Sequence, residues 1–410
     1  MKKIFFIIIF AASLYSQESG SPYSRFGLGF FNYSISTRST GNAGTSIAIF
    51  DENELNNLNP ATWSKIKNTV FSSGLFYESS TSEDNRGKKK FQNMNFSNTV
   101  LGVPLQKDKE FVLALGLFSK SKVGYNIYQN VVVNDLPAKS VYFGNGGISE
   151  FMLGLTYSPM HKLNVGFKTG YNFGEVQHSG KLQFNNSEYI DNEYLNSIYV
   201  KGFTFTGGII YSGLGELLGI HYGNVGFLFS PKSNLRAKKE RYSTFSSSSA
   251  TISDTVIEGE KELTLPLNYG LGFDFGLNEK YHLAFDYLFT GWEDYKYNEV
   301  NENFKNSQRL SFCIETIPEK DFLAPLSQRT RYSLGFYYER MNLEINGTRI
   351  NEYGVTLGIG VPLSRNAFIN SAIVYGRRGK NENELILDNF IKVHLSITLN
   401  ELWFVNTEDQ

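Results

Sequence analysis

Hydrophobic and polar residues alternate strictly along many stretches of this chain. Over 162–173 one row reads Leu163, Val165, Phe167, Thr169, Tyr171 and Phe173, and the other Lys162, Asn164, Gly166, Lys168, Gly170 and Asn172. The same holds over 280–289, with Tyr281, Leu283, Phe285, Tyr287 and Phe289 against Lys280, His282, Ala284 and Asp286. Over 391–400, Ile391, Val393, Leu395, Ile397 and Leu399 oppose Lys392, His394, Ser396, Thr398 and Asn400. Side chains change face at every residue of a strand, so each stretch predicts a strand with one greasy and one polar or small face. The pattern places strands near 69–78, 92–104, 110–122, 148–158, 162–174, 199–213, 218–230, 262–276, 280–292, 308–316, 328–341, 350–362, 367–377 and 389–402.

A soluble sandwich alternates in the same way, greasy face inward. Three features favour an all-β, transmembrane antiparallel β-barrel instead. The strands are near the ~10 residues that cross a bilayer, there are about 14 of them, and their connections alternate in length. Turns near Lys107–Lys109, Pro159–His161, Leu214–Glu216, Leu277–Glu279 and Ser364–Asn366 are tight, whereas 79–91, 123–147, 175–198 and 231–261 are long and polar. The turn carrying Pro318 and Pro325 is the longer exception on the tight side. Outer-membrane barrels have short periplasmic turns and long outer loops, and an even strand count puts both termini in the periplasm. Lipid offers no partner to a bare N–H or C=O, which requires the sheet to close.

Composition sharpens the picture. Aromatics make up 15% of the 410 residues and Gly is abundant at 38, as girdled barrels favour. Trp292, Trp403 and Phe404 near strand ends are expected in interfacial belts. A formal net charge of −1 and the lack of a basic block interleaved with aromatics point away from nucleic acid. Cys313 is the single cysteine, which excludes a disulfide framework and a Cys-based metal cluster.

The chain divides into four parts. Residues 1–16 read as a signal peptide: Lys2 and Lys3, then the apolar run Ile4–Ala12. That run is too short for a spanning helix of about 20 residues. Residues 67–404 are the barrel, and 405–410 a polar tail. Between signal and barrel, 17–66 is rich in Gly, Ser, Thr and Asn without sustained alternation, yet carries Ile35, Ile47, Ile49, Leu55, Leu58 and Trp63. A barrel of about 14 strands has room for more than side chains, so this segment is expected to fill the lumen as a hatch. Ser247–Ser249 read as a solvated loop tip.

The sharpest local signal is Gly41-Asn42-Ala43-Gly44-Thr45-Ser46-Ile47-Ala48, then Asp51, then Asn59-Pro60-Ala61. Small residues let backbone pack in a confined space; Pro60 stiffens a turn in which Asn59 can hydrogen-bond its own backbone. In this context the chain resembles the FadL/TodX family of outer-membrane transporters for long-chain fatty acids and other hydrophobic compounds. Signal peptide, hatch with an Asn-Pro-Ala motif and 14-stranded barrel follow in the same order. Ser21-Pro22-Tyr23-Ser24-Arg25-Phe26-Gly27 and Leu399-Asn400-Glu401-Leu402-Trp403-Phe404 are similar to Bacteroidetes-type members. The resemblance assigns Asn59, Pro60 and Ala61 to the hatch motif. It names no ligand-contacting residue, and the polar end Val405–Gln410 departs from the usual terminal aromatic.

No enzyme chemistry is expected. The five His form no metal spacing, no Gly-x-Ser-x-Gly elbow occurs, and Gly144-Asn145-Gly146-Gly147 matches no phosphate loop. No catalytic residue, metal or cofactor is assigned. His282, His394, Asp286 and Glu150 are expected to line the interior, and Arg377-Arg378 to lie in a solvated loop. Three readings of function remain. The first is passive outer-membrane transport of hydrophobic small molecules, with membrane lipids and an apolar ligand as partners. The second is a binding or scaffold barrel in a protein secretion or surface-assembly complex. The third, a rim-active enzyme, lacks an evident residue cluster.

Overall fold

The computed structural model describes residues 20–401 apart from 33–35, 107–108, 187–188, 247–249, 298–299, 302 and 383–384. The expected signal peptide, the polar tail, Ile35, Ser247–Ser249, Trp403 and Phe404 lie outside the described residues.

The oily rows face outward and the polar rows inward. Phe167 is 47% exposed while its neighbour Lys168 is 8% exposed, and Leu395 is 44% exposed beside Ser396 at 4%. A soluble sandwich would show the reverse, so this inversion decides between the two predicted architectures. Among the described residues no helix is long and apolar enough to cross a membrane.

The wall is a closed, 14-strand antiparallel barrel. The first crossing, Thr69–Asp84, pairs with the second, Gly87–Gln106, and with the last, Leu387–Glu401, which seals the cylinder. The third is interrupted: Phe111–Ser119, then Tyr125–Val133. The fourth to sixth are Leu136–Met160, Leu163–Phe184 and Asp191–Tyr211. The seventh runs as Tyr222–Ser230 and Ser233–Ser246, and the eighth as Thr251–Ile257, Lys261–Leu265 and Asn268–Gly276. Tyr281–Thr290, Ser307–Thr316, Arg331–Ile345, Thr348–Ser364 and Ala367–Gly379 complete the circuit.

Four expectations need correction. The stretches 79–91, 123–147, 175–198 and 231–261 are largely strand rather than loop. Once past the bilayer a ladder needs no greasy face, so polar runs such as Ser233–Ser246 continue the hairpins outward. The turn near Leu214 is a short helix, Leu214–Leu218. Trp292 is not in an interfacial belt; it is 4% exposed, packed against Phe31, Tyr295 and Phe304. Arg378 is not solvated: it is 3% exposed, and its Nε donates to Glu352 at 2.6 Å. A guanidinium on the inner row cannot stay unpaired, and Glu352 and Arg378 face each other across neighbouring strands.

The segment before the barrel lies inside it. Helix Thr37–Gly41 packs on the eleventh to fourteenth strands, and the 3-10 helix Pro60–Lys65 on the third to sixth. Ile47, Leu55 and Trp63 are almost fully buried against wall residues such as Leu228, Val100 and Met152.

Candidate functional site

Three features of the interior bear on function: how the plug is anchored, how its charges are neutralised, and where the wall opens.

Asn59 caps the Pro60–Lys65 helix. Its Oδ1 accepts the Ala61 N–H at 3.0 Å, and its Nδ2 donates to the Ile47 carbonyl at 2.8 Å. Pro60 sits at the first helical position, where its missing N–H costs nothing. It therefore opens a helical turn rather than an isolated loop. The wall is cut to receive this corner: a Cβ at Gly208 would collide with the Asn59 side chain, and one at Gly166 with the Pro60–Ala61 peptide. Trp63 completes the anchor, with Nε1 donating to the Asn56 carbonyl at 2.5 Å. The Asn59-Pro60-Ala61 motif is thus the joint between plug and wall.

At the short-turn end a charge network ties the plug to the opposite wall. Arg38 forks onto Asp51 and Glu315, its Nε meeting Glu315 Oε2 at 3.1 Å. Asn42 Nδ2 donates to the same oxygen at 2.9 Å. Arg331 adds contacts to Asp51 at 3.3 Å, Glu54 at 3.8 Å and Glu315 at 3.7 Å. His282 stands between Asp274 at 2.6 Å and Glu315 at 2.9 Å. Burial alone would lower the Arg38 pKa, but Asp51 and Glu315 outweigh it and hold the guanidinium charged. Burial pushes the Glu54 carboxyl up, and Arg331 offsets this only in part. On the Ile47 side, Asp286 accepts the backbone N–H groups of Ser46 at 2.6 Å and Ile47 at 2.9 Å.

The polar-row residues singled out in the sequence are brought inside but not together. Asp286 holds the plug, His282 bridges the wall carboxylates Asp274 and Glu315, Glu150 is ion-paired to Lys120 at 2.6 Å, and His394 stacks on Phe76 at 5.1 Å. Arg38, Glu315, Lys120 and Glu352 were not singled out. Glu315 does stand on the inner row beside Cys313, and an acid on that row needs a cation from the plug.

The third wall strand breaks its line. Its lower part is laddered on both sides, to the second strand as far as Asn98–Phe118 and to the fourth as far as Ser119–Ser149. The chain then dips inward. Ser121 and Lys122 pair with Phe31 and Phe30 of the plug. Asn32 N donates to Lys120 O at 2.8 Å, its Nδ2 to Ser119 O at 3.0 Å, and Ser24 Oγ joins the Gly124 N–H and carbonyl, each at 3.0 Å. Gly146 makes room, with φ +98° and no space for a Cβ against Glu175 O. A recess of about 370 Å³ results, lined by Asn93, Asn95, Ser119, Lys122 and Gly146. It lies beside the outward-facing Met94 and Phe96, which are level with Tyr77 and Leu75 of the first strand.

Inside, cavities of about 130 Å³ flank Phe31 and Trp292 on either side. The upper lumen is otherwise filled, with Tyr23 and Leu28 of the plug packed against Tyr125, Trp292, Phe304 and Met341. The mouth at the short-turn end is wider, about 840 Å³, with Ile49–Asn53 of the plug on its floor.

The model of the BamG family matches residues 1–408, essentially the whole chain. The protein belongs to the BamG family. No curated protein sequence matches this BamG-family chain. Among solved structures it is similar to the CymD monoaromatic hydrocarbon channel, at 15% identity over 92% of this chain and 100% of that one, with a TM-score of 0.61. A FadL homologue of Pseudomonas aeruginosa shares 12% identity over 91% and 99% of the two chains, with a TM-score of 0.63. The P. putida toluene transporter TodX shares 13% over 90% and 98%, with a TM-score of 0.60. At such identities the likeness is one of fold. The BamG-family chain therefore shares the closed β-barrel fold of these channels.

Proposed function

We propose that this BamG-family barrel passes hydrophobic small molecules, long-chain fatty acids or similar, across the outer membrane without an energy source. One observation carries the reading: the inward dip of the third wall strand, which is hydrogen-bonded to the plug and leaves a recess between the second and fourth strands. Similar structures include a monoaromatic hydrocarbon channel and a toluene transporter, which supports the same class of ligand. An apolar molecule gains about 0.8 kcal/mol per buried CH₂ and resists a water-filled pore. A side exit into lipid spares it that passage. The short turns and both chain ends face the periplasm in this reading, and 1–16 is removed as a signal peptide. The cavities beside Trp292 are small for such a ligand, so its passage requires the plug segment Phe30–Asn32 to move with the wall. Deleting the gene and measuring uptake of labelled fatty acids and hydrocarbons tests the proposal. Unchanged uptake of every apolar compound would count decisively against it.

A second reading is favoured by the ion-paired floor and filled upper lumen: a barrel that binds partners in a secretion or surface-assembly complex and transports nothing. Stoichiometric co-purification with such a complex, with normal uptake in the deletion strain, would select it.

A further inference from the structure

The interrupted third strand leaves a second feature that transport does not use. Its upper part, Tyr125–Val133, pairs on one side with Gly144–Leu136 of the fourth strand. Among the described residues no strand pairs with its other edge. Antiparallel backbone groups point to alternate edges, residue by residue. The phase is set by Lys89 of the second strand, whose Nζ donates to the Asn126 carbonyl at 2.8 Å from the far side of the gap. Tyr128, Asn130 and Val132 therefore turn their N–H and C=O groups outward on the same edge as Asn126.

The strand's own sequence carries none of the usual protections. Natural sheets blunt open edges with Lys, Pro or a bulge. The run Ile127-Tyr128-Gln129-Asn130-Val131-Val132-Val133 has no charge and no proline, and Tyr128 and Val132 are 56% and 71% exposed. The protein does place cations beside it. Lys89 Nζ lies 5.0 Å and Lys139 Nζ 4.8 Å from the centre of the Tyr128 ring. Lys90 stands next to Lys89, and no carboxylate pairs with any of the three among the described residues. An unfilled backbone edge and an unneutralised cation cluster thus coincide at the long-loop end of the barrel.

We propose that this edge docks an extended, acidic polypeptide segment of a surface partner, which adds a strand to Tyr125–Val133 and sets its carboxylates against Lys89 and Lys139. Only an extended chain supplies donors and acceptors at the spacing of Tyr128, Asn130 and Val132. Acidic side chains meet the remaining need. Phosphate groups of a lipid would neutralise the lysines but leave the backbone edge unmet. The inference is independent of what the barrel transports.

The test uses the full chain in detergent micelles and short fluorescent peptides: one alternating Thr and Glu, one alternating Thr and Lys, and the Thr/Glu peptide N-methylated at alternate residues. The Thr/Glu peptide should bind at least about tenfold more tightly than the Thr/Lys peptide, and N-methylation should abolish binding. Asn130→Pro removes an outward N–H without touching the ladder to the fourth strand, and should also abolish it. Lys89→Glu with Lys139→Glu should reverse the peptide preference. Heat-modifiable migration on gels confirms that each variant is a folded barrel. Equal binding of the N-methylated peptide, or full competition by inorganic phosphate with Asn130→Pro still active, would mean an anion site and overturn the proposal. So would binding of no peptide, or occupation of the edge by a second copy of the chain, seen as a dimer that Asn130→Pro disrupts.

Discussion

Arg38 in the plug and Glu315 in the tenth wall strand, 277 residues apart, meet as a forked ion pair with Nε 3.1 Å from Oε2. The Glu315 side chain is 1% exposed, and the same carboxylate also serves Asn42 and His282. Removing one partner of a buried pair leaves the other uncompensated, at roughly 3–5 kcal/mol. Arg38→Ala should therefore destabilise the barrel by that order and raise single-channel conductance in planar bilayers as the plug loosens. Arg38→Met with Glu315→Leu should lose less than the sum of the two single changes. An Arg38→Ala protein with wild-type denaturation and conductance would show that the pair does not hold the plug.

Glu54 gives a pH-dependent counterpart. Its folded pKa is raised by burial, with Arg331 offsetting only part of the shift. A raised carboxyl pKa means the folded state favours the protonated form. The contribution to stability is then present below the unfolded pKa, about 4.3, and is lost as pH rises through the folded value. Glu54→Gln should be at least as stable as wild type at pH 7, its advantage vanishing as the pH falls toward 4. Denaturant midpoints at both pH values check this, and a variant clearly weaker at pH 7 contradicts it.

Asn59 and Gly208 should be energetically coupled. Asn59→Ala removes a helix cap and the tie to Ile47, a loss of about 1–2 kcal/mol. Gly208→Ala drives a methyl group into the Asn59 side chain. With Asn59 already truncated, the added methyl meets less, so the double variant should fall short of the sum of the two. Additive losses would separate the two sites.

Gly146→Ala tests the inward dip. At φ +98° an added Cβ costs about 1–2 kcal/mol of backbone strain and also meets Glu175 O. Hydrogen exchange should quicken at Ser121–Gly124, and uptake of apolar compounds should change in the same variant. Faster exchange with wild-type uptake would detach the dip from transport.

The barrel was legible in the sequence because the bilayer imposes period two on every crossing, and one row of each strand, such as Phe167 or Leu395, must be oily. The stretch before the barrel stands out in the sequence because it breaks that pattern and carries the Asn59-Pro60-Ala61 turn. What joins the two was not legible. Arg38 reads as one cation in a Ser/Thr run, and nothing near it in the chain names Glu315 as its partner. The break at Ser119–Gly124 was hidden because its residues continue a plausible strand; only the pairing with Phe30 and Phe31 pulls them inward. Arg378 was misjudged from a neighbouring loop, since its burial depends on Glu352 across the ladder.

Several plug contacts sit on the seam that closes the cylinder. Ser21 bonds to Asp388, Tyr23 OH to the Ile386 carbonyl at 2.5 Å, and Asn53 receives Asn400 Nδ2 at 2.6 Å. These partners belong to the last strand or its approach, so these contacts cannot form until the final strand is in place. Their loop closures span nearly the full length of the polypeptide, the slowest kind to form. During biogenesis an unsealed cylinder and an unhoused N-terminal segment must therefore coexist, and whatever shields one has to accommodate the other.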